Sequence, residues 1–342
     1  MLIILRAGAS EKVTEQVVAR IEQLGLRAHI SKGEFRTIIG AIGEEKPIFP
    51  DQLLSIEGVE NVLPIMKPYK LASRDFHPEG SVVQVGSVRI GRGHYGLIAG
   101  PCAVESRESC LQLAKTAKES GANMLRGGAF KPRSSPYSFQ GLGEEGLKIL
   151  RECSDRFGLP VVTEVTDPRN VEMVGRYADM LQVGARNMQN FVLLAEIGKT
   201  KKPVLLKRGA SNTVQDWLMS AEYILSEGNN QVVLCERGSR GFETEVRFTL
   251  DVSAIALAKN DSHLPVIVDP SHAAGRRDLV AKLALAGMAA GADGMIVEIH
   301  DCPDKAKCDG PQALTGKMFG ELMKQVKQMI EIFGNQEREA SR

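Results

Sequence analysis

The chain has no long apolar run. Before the first charge, its N-terminus Met1-Leu2-Ile3-Ile4-Leu5-Arg6 offers only the four apolar residues from Leu2 to Leu5. That falls far short of a signal core or of the roughly 20 residues a membrane span needs. No membrane partner is expected, and the chain reads as cytoplasmic. It also has no excess of one charge: 43 Lys and Arg against 42 Asp and Glu leave a net +1. A global polyanion partner such as nucleic acid is therefore not expected. Paired cysteine motifs are absent too. The six cysteines, Cys102, Cys110, Cys153, Cys235, Cys302 and Cys308, show no CxxC spacing, which excludes a disulfide framework or a short zinc motif. Cys110 and Cys153 fall in helical patterns and read as small buried apolar residues.

The 342 residues, 43% of them hydrophobic, allow one large domain of about 250 residues and a small one. Residues 1–66 alternate strand and helix signals. Leu2 to Leu5 reads as a strand. Val13, Val17, Val18, Ile21 and Leu24 follow at helical spacing, with Gly25 where a C-terminal cap belongs. Arg27 to Ser31 and Arg36 to Ile42 read as strands, Asp51 to Ile56 as a short helix and Val59 to Met66 as a last strand. The order βαββαβ predicts a ferredoxin-like α+β unit. Residues 67–80 carry Pro68, Pro78 and Gly80 without a sustained period and read as a linker. Two short runs around Gly86-Ser87 predict a type II′ hairpin covering the larger domain, and the polar end, 335–342, is expected to fray.

From Tyr95 to residue 334, short apolar runs alternate with amphipathic helical segments eight times. This predicts a (β/α)8 TIM barrel, with strands at Gly96–Gly100, Met124–Gly128, Val161–Val165, Met180–Gly184, Val204–Lys207, Gln231–Cys235, Val266–Asp269 and Gly294–Glu298. A doubly wound open sheet is the alternative, because strand order is invisible in sequence. In a barrel, the loops at the C-terminal ends of the strands build the site, and reactive residues do follow nearly every run.

Two chemical sets stand out. Cys102, His272, Glu298 and Asp309 offer a thiolate, an imidazole and two carboxylates, a donor set suited to a borderline divalent metal. Their long spacing equally allows a buried cysteine, an outer histidine and two exposed acids. Arg126, Lys131, Arg133, Arg186, Lys207, Arg208 and Arg237 concentrate positive charge at one barrel face of a nearly neutral chain. Such a set calls for phosphate or carboxylate ligands.

The run Leu125-Arg126-Gly127-Gly128-Ala129-Phe130-Lys131-Pro132-Arg133-Ser134-Ser135-Pro136-Tyr137 resembles the signature of metal-dependent 3-deoxy-D-arabino-heptulosonate-7-phosphate (DAHP) synthases. So do Gly100-Pro101-Cys102-Ala103-Val104-Glu105-Ser106, Gly184-Ala185-Arg186-Asn187-Met188-Gln189-Asn190, Leu206-Lys207-Arg208-Gly209, Asp269-Pro270-Ser271-His272-Ala273-Ala274-Gly275 and Asp309-Gly310-Pro311-Gln312. These ordered motifs cover essentially the whole second domain. The resemblance implies condensation of phosphoenolpyruvate with erythrose 4-phosphate, the first step of the shikimate route to aromatic amino acids. It implies one divalent metal on Cys102, His272, Glu298 and Asp309, with manganese ranked ahead of iron, cobalt, zinc or cadmium. It places phosphoenolpyruvate on Arg126, Lys131, Ala185, Arg186, Lys207 and Arg237, and the sugar phosphate on Arg133 and Ser134, a serine where the family often has threonine.

Lys131 is the candidate for proton delivery or phosphate binding. Glu164 is a candidate for orienting water or for a structural ion pair. Cys302 and Cys308, which bracket the last loop, suggest an oxidation-sensitive pair. The resemblance further implies a homotetramer and an aromatic amino-acid effector, tyrosine or phenylalanine, at the N-terminal domain. The rival is the sister synthase that uses arabinose 5-phosphate. It typically carries an Ala-Asn pair between the Lys and Arg, where this chain has Lys131-Pro132-Arg133. A non-catalytic amino-acid sensor is a second rival, disfavoured by the complete ligand set.

Overall fold

The computed structural model describes residues 1–32, 37–42, 50–63, 68–133 and 135–340, in two units, Met1–Pro68 and Tyr69–Arg342. The first runs β1 (Leu2–Leu5), α1 (Glu11–Gln23), β2 (Arg27–Lys32), β3 (Thr37–Ile42), α2 (Asp51–Leu54) and β4 (Val59–Leu63). The strands pair antiparallel in the order β2-β3-β1-β4, the topology of the expected ferredoxin-like unit. Strand alternation turns Ile3 and Leu5 inward, helical spacing turns Val17 and Ile21 to meet them, and Ile39, Val59 and Val62 complete the core. Gly25, at φ +80°, follows the end of α1 in the left-handed conformation that glycine adopts most readily. Arg36 and residues 64–66, read as strand ends in the sequence, lie outside the described residues.

In the second unit the hairpin strands β5 (Val83–Val85) and β6 (Val88–Ile90) precede eight parallel strands: β7 (Gly96–Gly100), β8 (Met124–Arg126), β9 (Val161–Glu164), β10 (Met180–Val183), β11 (Val204–Lys207), β12 (Val232–Glu236), β13 (Val266–Val268) and β14 (Gly294–Glu298). Pairing of β14 with β7 closes the barrel, which settles the fold against an open sheet. Around it lie α3 (Arg107–Ser120), α4 (Glu144–Phe157), α5 (Val171–Tyr177), α6 (Phe191–Lys199), α7 (Val214–Ser226), α8 (Val252–Asp261), α9 (Pro270–Ala274), α10 (Arg277–Ala289) and α11 (Gly316–Ala340). Among the described residues no helix is long and apolar enough to cross a membrane.

The barrel strands are buried on both faces, so their apolar runs divide between two cores. Ile98, Met124, Val162, Met180, Leu205, Val233, Cys235, Ile267 and Ile296 fill the interior, and Val83, Val85, Val88 and Ile90 of the hairpin join them. The hairpin is thus a plug at the N-terminal end of the barrel. Its Gly86 has φ +55° while Ser87 is not in the positive-φ region, as a type II′ turn requires. The intervening residues, among them Leu125, Leu181, Leu206 and Leu234, pack outward against the helices.

Two readings of the sequence differ from the structure. Tyr69 to Gly80, expected to be a free linker, belongs to the second unit. Tyr69, Ala72 and Ser73 are buried. The Glu222 carboxylate of α7 accepts hydrogen bonds from the backbone N–H groups of Lys70, Leu71 and Ala72 at 3.0, 2.8 and 2.8 Å. Proline, glycine and polar residues suit packed irregular backbone as well as a linker, and one carboxylate here satisfies three otherwise orphaned donors. The polar tail, expected to fray, continues α11 as far as Ala340, in a stretch of good helix formers. Residues 341 and 342 lie outside the description.

Candidate active site at the barrel mouth

Because successive side chains in a strand face opposite sides, each inward apolar residue of the barrel is followed two positions later by another inward one. That position holds the chemistry. Met124 is followed by Arg126, Val162 by Glu164, Met180 by Gln182, Leu205 by Lys207, Cys235 by Arg237, Ile267 by Asp269 and Ile296 by Glu298. Above them lies a cavity of about 690 Å³. Arg126, Lys131, Arg133, Arg186, Lys207, Arg237, Arg240 and Arg247 line it, with Glu164 and Asp309 as its carboxylates and His272 and Ala185 beside them. Such a preponderance of cations in a chain of net charge +1 suits anionic ligands. Among the described residues, Arg126 Nε is a buried nitrogen without a hydrogen-bond partner.

Cys102, His272, Glu298 and Asp309 come together at this mouth, each offering an atom within 4.8 Å of the others. Cys102 follows β7, Glu298 ends β14, Asp309 lies in the loop beyond it, and α9 carries His272. The Asp269 side chain caps α9 by accepting from the His272 backbone N–H at 3.0 Å, and it also bonds the ring Nδ1 at 2.7 Å. This fixes the imidazole and leaves Nε2 3.3 Å from Glu298 Oε1 and 3.8 Å from Asp309 Oδ2. Asp309 Oδ2 is 3.2 Å from the Cys102 sulfur. Lys207 ion-pairs with Asp269.

The electrostatics suit a cation. Burial pushes His272 down, toward neutral imidazole. Burial alone would raise Glu298, but positive charge at His272, Arg126 and Lys131 holds it well below the usual carboxylate range. With His272 neutral, Arg126 carries this effect through its 2.5 Å ion pair with Glu298. Asp269, also opposed by burial, is held down by His272 and Lys207. Lys131 donates to the Cys102 carbonyl and sulfur, both at 3.2 Å. Burial would lower its ammonium, but Cys102, Cys308 and Glu298 together outweigh burial, so it stays charged.

Several expectations change. Arg208, grouped with the cavity cations from sequence, has the opposite strand parity. It is buried outside the barrel, paired with Glu236 at 2.9 Å and Asp251 at 3.1 Å. Cys302 is exposed, whereas Cys308 is buried with its sulfur 3.1 Å from that of Cys102, and Arg133 donates to it. Cys102 is therefore the sulfur neighbour of Cys308, and its thiol is pushed up by the hydrogen bond to Cys308 and by burial. Glu164 lines the cavity and accepts from Gln182 at 3.3 Å. Ser134 lies outside the described residues. Arg240, Arg247 and Phe248 went unnoticed in the sequence because they sit in a long loop without a period, and Gln312 was quoted in the Asp309 motif without a role. The Arg237 guanidinium lies 4.1 Å above the Phe248 ring.

Residues 72–333 match the family model described as DAHP synthetase I, and residues 1–67 match the DAHP synthase ferredoxin-like domain. A phospho-2-dehydro-3-deoxyheptonate aldolase of Thermotoga maritima is 50% identical over 98% of this chain and 99% of its own. A crystal structure of that organism's phospho-2-dehydro-3-deoxyheptonate aldolase superposes with a TM-score of 0.93 at 49% identity, over 97% of this chain and 98% of the other. A 2-dehydro-3-deoxyphosphooctonate aldolase of Desulfatibacillum aliphaticivorans is 35% identical over 67% of this chain and 90% of its own.

Proposed function

The chain belongs to the DAHP synthetase I family, and from that premise we propose that its barrel mouth joins phosphoenolpyruvate to D-erythrose 4-phosphate and water, giving DAHP and phosphate. The observation that carries this reading is that the four-donor cluster and the cation-lined cavity occupy one mouth of one barrel. The substrates bring two phosphates and a carboxylate, the anions such a cavity needs.

Cys102, His272, Glu298 and Asp309 fit a divalent metal: the imidazole is neutral, the carboxylates are ionised, and a thiol gives up its proton to an ion it coordinates. Manganese ranks first, with iron, cobalt, zinc and cadmium as alternatives. When bound, the ion supplies Lewis-acid polarisation of the aldehyde oxygen. The remaining steps belong to the chain's own groups. Arg126, Lys131, Arg186, Lys207 and Arg237, with Ala185 beside them, hold phosphoenolpyruvate so that its C3 faces the aldehyde carbon. Arg133, with Ser134, holds the sugar phosphate at the other end. Lys131, kept charged, donates a hydrogen bond or a proton to the oxygen formed when C3 attacks. Glu164, at the cavity wall, orients the water that adds at C2 before phosphate leaves.

Lys131-Pro132-Arg133 and the greater identity to the seven-carbon than to the eight-carbon aldolase favour the four-carbon aldose over arabinose 5-phosphate. The ferredoxin-like domain supports feedback control by tyrosine or phenylalanine, and assembly as a homotetramer is part of the same reading. Turnover with each aldose, with and without the two amino acids, tests it. Turnover of arabinose 5-phosphate alone would overturn the substrate assignment, and an unchanged rate with either amino acid would overturn the regulatory one.

A further inference from the structure

Arg247 lies in the long loop between β12 and α8, where the sequence pattern gives it no role. Two backbone hydrogen bonds tie this loop to the helix bearing His272: Arg247 N–H to the Ala274 carbonyl at 3.1 Å and Phe248 N–H to that of Ala273 at 2.9 Å. Gly275, at φ +69°, makes room for the stem, since a Cβ there would lie 2.5 Å from the Arg247 Cβ. The guanidinium donates to Asp309 Oδ1 and to Gln312 Oε1, both at 3.1 Å. The buried Gln312 amide in turn donates to Glu298 Oε2 at 2.6 Å. Its orientation is forced, because a flipped amide would set NH2 against the guanidinium and oxygen against the carboxylate.

The consequence is a division of labour within each carboxylate. Asp309 gives one oxygen to Arg247 and turns the other toward Cys102 and His272. Glu298 gives Oε2 to Gln312 and turns Oε1, which also accepts from Arg126 at 2.5 Å, toward His272. Asp309 also adopts φ +49°, in the left-handed region, where side chains other than glycine are uncommon. The Arg247 contact is what aims its carboxylate from that backbone position. We propose that Arg247 is a positioning residue of the metal centre, holding Asp309 directly and Glu298 through Gln312 so that each presents one preset oxygen to the ion. This rests on the metal reading given above.

The guanidinium also lines the cavity, so the competing role is a direct contact to a substrate anion. Manganese titration of the full chain, followed by the electron paramagnetic resonance signal of free Mn²⁺, separates the two. The proteins compared are wild type, Arg247→Met, Gln312→Leu, the double variant and Cys102→Ala, with KM for both substrates at saturating manganese. Loss of positive charge would by itself tighten a cation, so weaker binding reports positioning. The expected result is about 10- to 100-fold weaker manganese binding in each of Arg247→Met and Gln312→Leu, the usual effect of losing an outer partner. The double variant should lose less than the sum of the singles because the two act in one network, and KM should stay unchanged. Unchanged or tighter manganese binding in Arg247→Met, with KM raised, would overturn the proposal and make Arg247 a substrate contact. Should Cys102→Ala bind manganese as well as wild type does, the metal reading itself fails and takes the proposal with it.

Discussion

Lys207 and Arg208 carry the same charge one position apart, and the pleat sends them to different places. Lys207 enters the cavity beside Asp269, while Arg208 is buried against Glu236 on the outer side of the barrel. Arg208→Met would leave the fully buried Glu236 without its main partner. We expect a loss of about 3–5 kcal/mol of stability in denaturant titration, with KM for phosphoenolpyruvate unchanged. Lys207→Met should raise that KM and also cost stability, because it leaves the buried Asp269 without its lysine. Cys102→Ser should leave the melting temperature nearly unchanged and abolish the manganese stimulation of phosphate release. The four-donor cluster was legible because Cys102, His272 and Asp309 each sit in a motif of the family. Arg247 was not, since its role comes from a loop folding back, and Gln312, though in the Asp309 motif, has a role set by its amide orientation, which no sequence shows. Arg208 could have been excluded by counting by twos from Leu205, a signal the sequence does contain.

At the scale of elements, the eight strands and the plug were legible because a strand buried on both faces is a short apolar run bounded by turns. The segment from Tyr69 to Gly80 was not, because the donors of its backbone are satisfied by Glu222, some 150 residues away in sequence. The plug makes a separate prediction. Ile90 is fully buried in the barrel interior, at the end opposite the mouth. Ile90→Ala should cost about 2–5 kcal/mol in chemical denaturation and leave KM for both substrates as in wild type. A changed KM with unchanged stability would show that the hairpin communicates with the mouth.

At the scale of the whole molecule, the two units divide the proposed labour. The cavity and the four-donor cluster belong entirely to the second unit. Residues 69–340 alone should therefore retain metal-dependent turnover and lose any response to tyrosine or phenylalanine, as steady-state rates with and without each amino acid will show. The near-neutral net charge alone does not reveal this site, since the cations of the mouth are balanced by acids elsewhere on the chain, and their recurrence after the barrel strands is what made it legible.

The most direct test of the account is phosphate release from phosphoenolpyruvate by the full chain, with erythrose 4-phosphate or arabinose 5-phosphate, before chelation, after it, and after manganese is restored. The account predicts turnover of the four-carbon sugar that chelation abolishes and manganese restores. Turnover that survives complete chelation, or that occurs only with the five-carbon sugar, would contradict it.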